Sequence, residues 1–119
     1  MLPYAESPLS RADLDAMPGV TVVNFGTDWC GFCQSAAPHI EAALAEAPGM
    51  LHMKVEDGPG RALGRSFNIK LWPTLVVLQD GREVARVVRP ADAAAVRAAL
   101  TQGDRIADDS ERPRQTIAP

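Results

Sequence analysis

The sequence predicts an α/β fold in which a mixed central β-sheet carries helices on both faces. Three observations lead to this prediction. Continuous runs of β-branched and apolar residues alternate with stretches whose apolar residues recur at helical spacing, which indicates alternating strands and helices. The first two predicted strands are joined by a helix, a connection typical of parallel strands. The last two are joined by Asp80-Gly81, the dipeptide of a type I′ hairpin, so they are expected to run antiparallel.

The chain begins with a short helix and a buried strand. Residues 10–17 are predicted to be helical, with Ser10 as the N-cap and the acidic Asp13 in the first turn, where a negative charge is favourable. Pro18-Gly19 ends this helix. Residues 20–25 are apolar or β-branched almost throughout, which is typical of a strand buried on both faces.

A longer helix and a second strand follow. After Cys33 the apolar residues recur at helical spacing as far as Pro48-Gly49, and Pro38, which lies among them, is expected to bend the helix. The apolar stripe consists of Ala36, Ala37, Ile40, Ala43, Leu44 and Ala47. Residues 50–55 are predicted to form the next strand.

The rest of the sequence up to residue 100 predicts a short helix, a hairpin and a last helix. Residues 60–67 form the short helix, which a glycine interrupts. Residues 74–79 and 83–88 are the two strands of the hairpin, and residues 91–100 form the last helix. A further short strand is expected at residues 2–5.

Length and composition fit one domain. The chain has 119 residues, of which 46% are hydrophobic and 23% are charged, so one core can form without a metal ion or a disulfide. We predict a domain over residues 1–102 and a mobile polar tail over residues 103–119, because the tail has too few large apolar side chains to offset the entropy of ordering it.

Charge and hydropathy exclude two classes of partner. The net charge of −3 gives no reason to expect nucleic acid. The longest apolar stretches, residues 20–25 and 74–78, are far shorter than the roughly 18 residues that cross a bilayer, so no membrane association is expected. Residues 1–8 have neither the basic region nor the apolar region of a secretory signal, and we therefore expect the protein in the cytoplasm.

The only two cysteines, Cys30 and Cys33, follow the predicted buried strand and open a helix. Within a βαβ unit this Cys-x-x-Cys pattern is typical of a redox-active dithiol. The first sulfur lies at the helix N-terminus, where free N–H groups and the helix dipole favour a thiolate. The second lies one turn further on, near enough to attack a mixed disulfide. We therefore expect Cys30 to have the lower pKa and the greater exposure.

The sequence gives less support to other roles for the cysteines and for the residues around them. A zinc site would need four ligands, and His39 and His52 are not spaced as in a common zinc finger, so no metal site is predicted and both histidines are expected at the surface. A purely structural disulfide would close too short a loop to stabilise the fold much. Trp29 and Trp72 could each be an ordinary structural aromatic, and Pro38 could be only a kink.

The sequence resembles the thioredoxin family over about residues 10–102, because it contains four motifs of that family in the same order. The first motif is Trp29-Cys30-Gly31-Phe32-Cys33, and the second is Pro38, five residues beyond it. The third is Trp72-Pro73-Thr74 at the start of the third main strand, and the last is Asp80-Gly81 in the hairpin. The spacing of the four motifs makes the resemblance specific.

This resemblance implies a thioredoxin-like fold and a role for each residue of the site. Cys30 is then the attacking nucleophile and Cys33 the resolving thiol. Pro73 is implied to be a cis-proline that faces the cysteines, with Trp29 as a flat contact surface beside them. The expected active-site surface is completed by Gly31, Phe32, Trp72 and Arg89, with Asn24 and Pro38 behind it.

Two positions depart from the usual pattern of the family in ways that affect the chemistry. Phe32 stands where a proline is common, which implies a less reducing pair, although we expect the pair nearer the reducing end of a scale from about −270 to about −120 mV. Asn24 stands in place of a buried aspartate, and an amide cannot take a proton from Cys33. Cys33 must then exchange protons with water or with another group, such as Glu56 or Asp57.

A third departure affects the surface around the cysteines. Arg89 stands near the end of the last strand, where the family usually has a glycine. We expect Trp29, Phe32 and Trp72 to form an apolar, partly exposed rim around Cys30, with the positive charge of Arg89 at its border. Such a surface would suit extended polypeptide clients.

The resemblance predicts a thiol-disulfide oxidoreductase that reduces protein disulfides. Its partners would be disulfide-containing protein clients and a thioredoxin-reductase-like electron donor, and the exchange itself needs no cofactor. We expect a monomer. One alternative is a client-binding or assembly module on the same fold with secondary redox activity, which the aromatic rim and Asn24 favour and the two cysteines disfavour. Another is a thiol oxidant or isomerase.

Overall fold

The computed structural model describes residues 3–111, which form a four-stranded sheet with helices on both faces. The strands are β1 (Val20–Gly26), β2 (Leu51–Glu56), β3 (Thr74–Gln79) and β4 (Arg82–Val88). The helices are α1 (Arg11–Asp15), α2 (Gly31–Ala45), α3 (Ala62–Ser66) and α4 (Ala93–Glu111). Each predicted helix and each main strand is present, and apart from α4 their ends differ from prediction by only a few residues.

The sheet is mixed, as predicted. Its strand order is β2-β1-β3-β4. The strands β1 and β2, which α2 connects, run parallel, and β3 runs antiparallel to both β1 and β4. At the hairpin Asp80 (φ 51°) and Gly81 (φ 83°) are both left-handed, as a type I′ turn requires. The prediction of a βαβ unit followed by a hairpin is confirmed.

Two apolar clusters cover the two faces of the sheet. One joins side chains of α2 and α4 to β1 and β3. The other joins α1, α3 and the residues after α3 to the opposite face. Val22 and Val23 are neighbours in β1, belong to different clusters and are fully buried, which confirms that this strand is covered on both sides.

The last helix is longer than the sequence pattern predicts. The predicted end was residue 100, but α4 continues to Glu111, so the predicted domain boundary at residue 102 falls inside a helix. Gly103 explains part of the extension. It is buried against the sheet so closely that an added methyl group would lie 2.8 Å from a side-chain carbon of Val77. Residues 112–119 of the predicted tail lie outside the described residues, and the mobility of residues 103–119 stays a prediction.

The N-terminal segment reaches the end of the sheet where β1 leads into α2. The predicted strand at residues 2–5 is reduced to one parallel bridge between Ala5 and Val55, and Leu2 lies outside the described residues. The N–H of Glu56 donates to the carbonyl of Ala5 at 2.8 Å, and the N–H of Tyr4 donates to the carboxylate of Asp28 at 3.0 Å. These contacts hold Tyr4 over the strand end.

Within residues 3–111 no helix combines the length and apolar character needed to cross a membrane.

Candidate active site

The two cysteines lie where the central strand gives way to the long helix. Cys30 is the N-cap of α2, and its Sγ accepts a hydrogen bond from the N–H of Cys33 at 3.4 Å. Cys30 exposes 8% of its surface and Cys33 exposes 2%. The order of exposure is the predicted one, and the sulfur of Cys30 satisfies one of the free N–H groups that begin a helix.

The helix start favours the thiolate of Cys30. Burial is the largest single effect on the Cys30 thiol and opposes ionisation, whereas hydrogen bonds from the backbone N–H of Cys33 and from the Cys33 thiol favour the thiolate. The backbone N–H of Phe32 and the positive charge of Arg89 act in the same direction. The net effect lowers the pKa of Cys30 below its usual range, which makes Cys30 the more readily ionised thiol.

The environment of Cys33 acts in the opposite direction. Burial raises the pKa of the Cys33 thiol to about 11, although the backbone N–H of Thr27 donates a hydrogen bond that favours the thiolate. The neighbouring Cys30 raises the pKa further, whereas a hydrogen bond with Tyr4 lowers it. The two sulfurs therefore have opposed tendencies: Cys30 ionises easily, and Cys33 holds its proton.

An exposed aromatic rim borders the cysteines. Trp29 exposes 75% of its surface and Phe32 exposes 57%, whereas Trp72 is half-buried. The rings of Trp29 and Trp72 meet edge to face, with centroids 5.6 Å apart. The indole N–H of Trp72 donates to Asp57 at 2.8 Å, and Trp72 packs against the cysteine pair. These contacts fix the Trp72 ring and leave the Trp29 ring open to solvent.

Arg89 closes the rim on the other side. Its guanidinium lies 3.7 Å from the centre of the Phe32 ring, and its Nε donates to the carbonyl of Trp72 at 2.8 Å. Its backbone N–H donates to the carbonyl of Pro73 at 2.8 Å. Arg89 adopts a left-handed φ of 49°, a conformation more often taken by glycine. The structure thus brings Arg89 to the rim.

The remaining site residues that the sequence predicts take different places. Pro73 is buried, and the Trp72–Pro73 peptide bond is cis. Gly31, the first residue of α2, faces open space, since an added methyl group would meet no atom within 4 Å. Pro38 lies on an exposed position inside α2, and the helix continues through it.

Behind the cysteines lies a buried polar pair that includes a residue which the sequence analysis missed. Asn24 is 2% exposed, and its Oδ1 accepts a hydrogen bond from the Tyr4 hydroxyl at 2.8 Å. Tyr4 is itself 7% exposed and packs against Cys30 and Cys33. One signal in the sequence could have indicated this contact: Gly26, at the end of a buried strand, leaves space for another part of the chain.

The suggested acidic groups take other partners. Glu56 forms an ion pair with Arg61, and Asp57 accepts the indole N–H of Trp72. Within the described residues the side chains that act on the Cys33 thiol are those of Cys30 and Tyr4. The suggestion that Glu56 or Asp57 serves Cys33 is therefore not supported. No group of three or more His, Cys, Asp or Glu side chains in residues 3–111 is arranged to hold a metal ion.

Comparisons with known proteins agree with this geometry. The family model described as Thioredoxin matches residues 11–102. A thioredoxin of Staphylococcus aureus is 35% identical over 85 residues, which is 67% of this chain and 80% of that protein. The structure of reduced thioredoxin 2 from Pseudomonas aeruginosa matches with a TM-score of 0.78 at 50% identity, covering 87% of this chain and 97% of that one. Thioredoxin from Fasciola hepatica matches with a TM-score of 0.65 at 30% identity, covering 77% and 92% respectively.

Replacing Asn24 by aspartate should make the stability of the fold depend on pH. Desolvation at this buried position should raise the pKa of the new carboxyl above its value in the unfolded chain. Such a group binds its proton more tightly in the folded protein, so stability falls as the pH rises through its titration. The loss is about 1.4 kcal/mol for each unit by which the two pKa values differ. The rate of disulfide exchange should also acquire a new titration.

Urea unfolding of Asn24→Asp between about pH 4 and pH 7 measures this effect. The matched control is Asn68→Asp, because Asn68 is the only other asparagine of the chain and is exposed. The stability of the control, relative to the wild type, should change little over this range. The same pH dependence in both variants would contradict the buried position assigned to Asn24.

Proposed function

The chain belongs to the thioredoxin family and is a thiol-disulfide oxidoreductase that reduces protein disulfides by dithiol exchange; we propose that Cys30 is the attacking thiolate and Cys33 the resolving thiol. The observation that supports this assignment is the position of the Cys30 sulfur at the N-cap of α2, where it accepts the N–H of Cys33. A helix N-terminus stabilises a negative charge, which makes Cys30 the better nucleophile at neutral pH.

The exchange proceeds in two steps. The Cys30 thiolate attacks a sulfur of the client disulfide, forms a mixed disulfide and releases the first client sulfur as a thiolate, which takes up a proton. Cys33, once deprotonated, attacks the Cys30 sulfur and releases the second client sulfur. The client has then gained two electrons and two protons, and the chain holds a Cys30–Cys33 disulfide. A reductase protein returns the two electrons.

The rim gives the site a surface for polypeptide clients. Trp29 and Phe32 offer large exposed rings beside Cys30, a combination suited to apolar side chains of an extended segment. We propose that the backbone of the client pairs with the segment at Trp72 and Pro73, next to the cysteines. Arg89 adds a positive charge at the border of this surface and favours clients with acidic residues near their disulfide.

We also propose that the protein works as a monomer in the cytoplasm. A reductant of protein disulfides is useful where thiols are kept reduced, and the cytosol is such a compartment. A redox potential nearer the reducing end of the family's scale would suit this location.

The exposed rings also favour a second candidate function, a module that holds clients and for which redox chemistry is secondary. Trp29 and Phe32 expose more than half of their surface, which is unusual for large aromatic side chains in a protein without a bound partner. A thiol oxidant or isomerase is the other candidate, and the recycling partner would distinguish it: an oxidant is returned to its disulfide form, a reductant to its dithiol.

Insulin reduction with dithiothreitol tests the assignment of the cysteines. Cys30→Ser should lower the rate of insulin precipitation to that of dithiothreitol alone, because the first step has no nucleophile. Cys33→Ser is the matched control, since it should still form a mixed disulfide with the client and accumulate it. Equal precipitation rates for the wild type and Cys30→Ser would contradict the enzymatic assignment. Client binding that persists without reduction in the wild type would favour the holding module.

Charge reversal at Arg89 tests the proposed preference for acidic clients. Arg89→Glu should raise the KM for a peptide disulfide flanked by acidic residues relative to one flanked by neutral residues. This ratio should be larger at low salt, because salt screens exposed charges beyond about 8–10 Å. Comparing two peptides removes any effect of the substitution on the ionisation of Cys30.

The matched control is Arg82→Glu. Arg82 is exposed and lies at the far end of β4, about 20 Å from Arg89 at the rise of an extended strand. It should leave the ratio of KM values unchanged. A ratio that Arg89→Glu alters equally at low and high salt would rule out electrostatic steering of the client.

A further inference from the structure

Tyr4 reaches the cysteine pair from a part of the chain that is remote in sequence. Its backbone N–H donates to Asp28 at 3.0 Å, and the adjacent Ala5 pairs with the end of β2. The ammonium group of Lys54 lies 4.4 Å from the centre of its ring. Tyr4 is thereby held from three sides, with its ring against Cys30 and Cys33.

Gly26 creates the space that Tyr4 and Cys33 share. A methyl group added to Gly26 would lie 2.6 Å from the Sγ of Cys33 and 2.9 Å from the Tyr4 hydroxyl oxygen. It would also lie 2.8 Å from the ring carbon that carries the hydroxyl. No side chain fits at position 26 without displacing these groups, so the bare glycine allows the hydroxyl to come close to the sulfur.

The hydroxyl of Tyr4 has one proton and two possible acceptors. It donates that proton to the Oδ1 of Asn24 at 2.8 Å, and the sulfur of Cys33 is the second acceptor within its reach. Once Cys33 has lost its proton, a turn of the hydroxyl about its C–O bond lets it donate to the thiolate instead. Burial raises the pKa of Tyr4 well above its usual range, so the hydroxyl stays protonated throughout.

We propose that Tyr4 is a positioning residue for the resolving step, whose hydroxyl switches its hydrogen bond from Asn24 to the sulfur of Cys33 and so stabilises the attacking thiolate. The proposal rests on the proposed function, in which Cys33 resolves the mixed disulfide. It assigns the polar group behind the cysteines to a tyrosine that donates a hydrogen bond, whereas Asn24 supplies only the resting acceptor.

The step balances without a further reactant. Cys33 gives its proton to the solvent, its thiolate forms the bond to the Cys30 sulfur, and the bond between Cys30 and the client breaks. The departing client sulfur leaves as a thiolate and takes a proton back from the solvent. Tyr4 keeps its own proton and contributes only the hydrogen bond.

Other charged or titratable groups face this site. Cys30, the N-cap of α2, lies beside Cys33, Asp28 accepts the backbone N–H of Tyr4, and Lys54 of β2 lies over the Tyr4 ring. Glu41 of α2 and His52 of β2 line the cleft that Tyr4 and Asn24 also line. None of these groups is changed in the test variants below, so their influence on the pH profile is common to all of them.

Tyr4→Phe removes the hydroxyl and keeps the ring. The test reaction uses a symmetrical aromatic disulfide that releases one coloured thiolate when Cys30 attacks and a second when Cys33 resolves. The first release should keep its wild-type rate. At pH values below the pKa of Cys33, the second release should slow by about three- to tenfold. The thiolate loses one hydrogen bond to a charged group, and the more nucleophilic sulfur offsets part of this loss. The pH profile of the second release should shift upward.

Asn24→Leu is the second test variant, because it changes the other member of the polar pair. It removes the resting acceptor but leaves the Tyr4 hydroxyl with the sulfur of Cys33 as its remaining partner, so the second release should not slow. A second release within twofold of the wild type in Tyr4→Phe would overturn the proposal. Equal slowing in Tyr4→Phe and Asn24→Leu would also overturn it, because the polar pair would then act only through packing.

A measurement without a client separates this proposal from the proposed function. Tyr4 is the only tyrosine of the chain, so incorporation of fluorotyrosine gives a single ¹⁹F NMR signal. In the reduced protein this signal should titrate with Cys33, and the titration should vanish in Cys33→Ala. A ¹⁹F signal whose chemical shift does not change as Cys33 titrates would contradict the role of Tyr4. Failure of the first coloured release would contradict the role of Cys30, while the ¹⁹F titration would still decide on Tyr4.

Discussion

The site depends on one constraint: the chain passes from a strand buried on both faces into a helix within four residues. β1 ends at Gly26 and α2 begins at Gly31, so Cys30 becomes the N-cap and its sulfur meets free N–H groups. The same geometry places Cys33 one turn inside the helix, where it faces the end of the buried strand. The opposed tendencies of the two thiols follow from this passage, because one sulfur lies at the helix start and the other beneath it.

The residues around the two cysteines act separately on the ionisation of Cys30 and of Cys33. Arg89 reaches the exposed side, where its charge favours the Cys30 thiolate and its guanidinium covers the Phe32 ring. Tyr4 reaches the buried side, where its ring fills the space that Gly26 leaves. A dithiol reductant needs this separation, because the nucleophile must be ionised before a client arrives and the resolving thiol must act only afterwards.

Patterns among residues close together in the sequence predicted those features that such residues determine. The Cys-x-x-Cys motif, the burial of Asn24 and the hairpin at Asp80 all follow from residues that are neighbours in sequence, and the structure agrees with each. Tyr4 was missed because its contact with Asn24 spans twenty residues and depends on how the N-terminal segment pairs with β2. The end of α4 was misplaced for a similar reason: residues 103–119 have few large apolar side chains, which predicted a tail, whereas α4 continues to Glu111 and Gly103 packs against Val77 of the sheet.

The most direct test of this account is a pH titration of both thiols in the reduced protein, followed by the ¹³Cβ NMR signals of cysteines labelled at that carbon. Cys30 should ionise first, with a pKa below the usual range of a cysteine, and Cys33 should ionise at about pH 11. The separation should be visible without any client or reductase. If Cys33 ionises first, or if the two signals titrate together, the helix start does not control the pair and the assignment of nucleophile and resolving thiol is wrong.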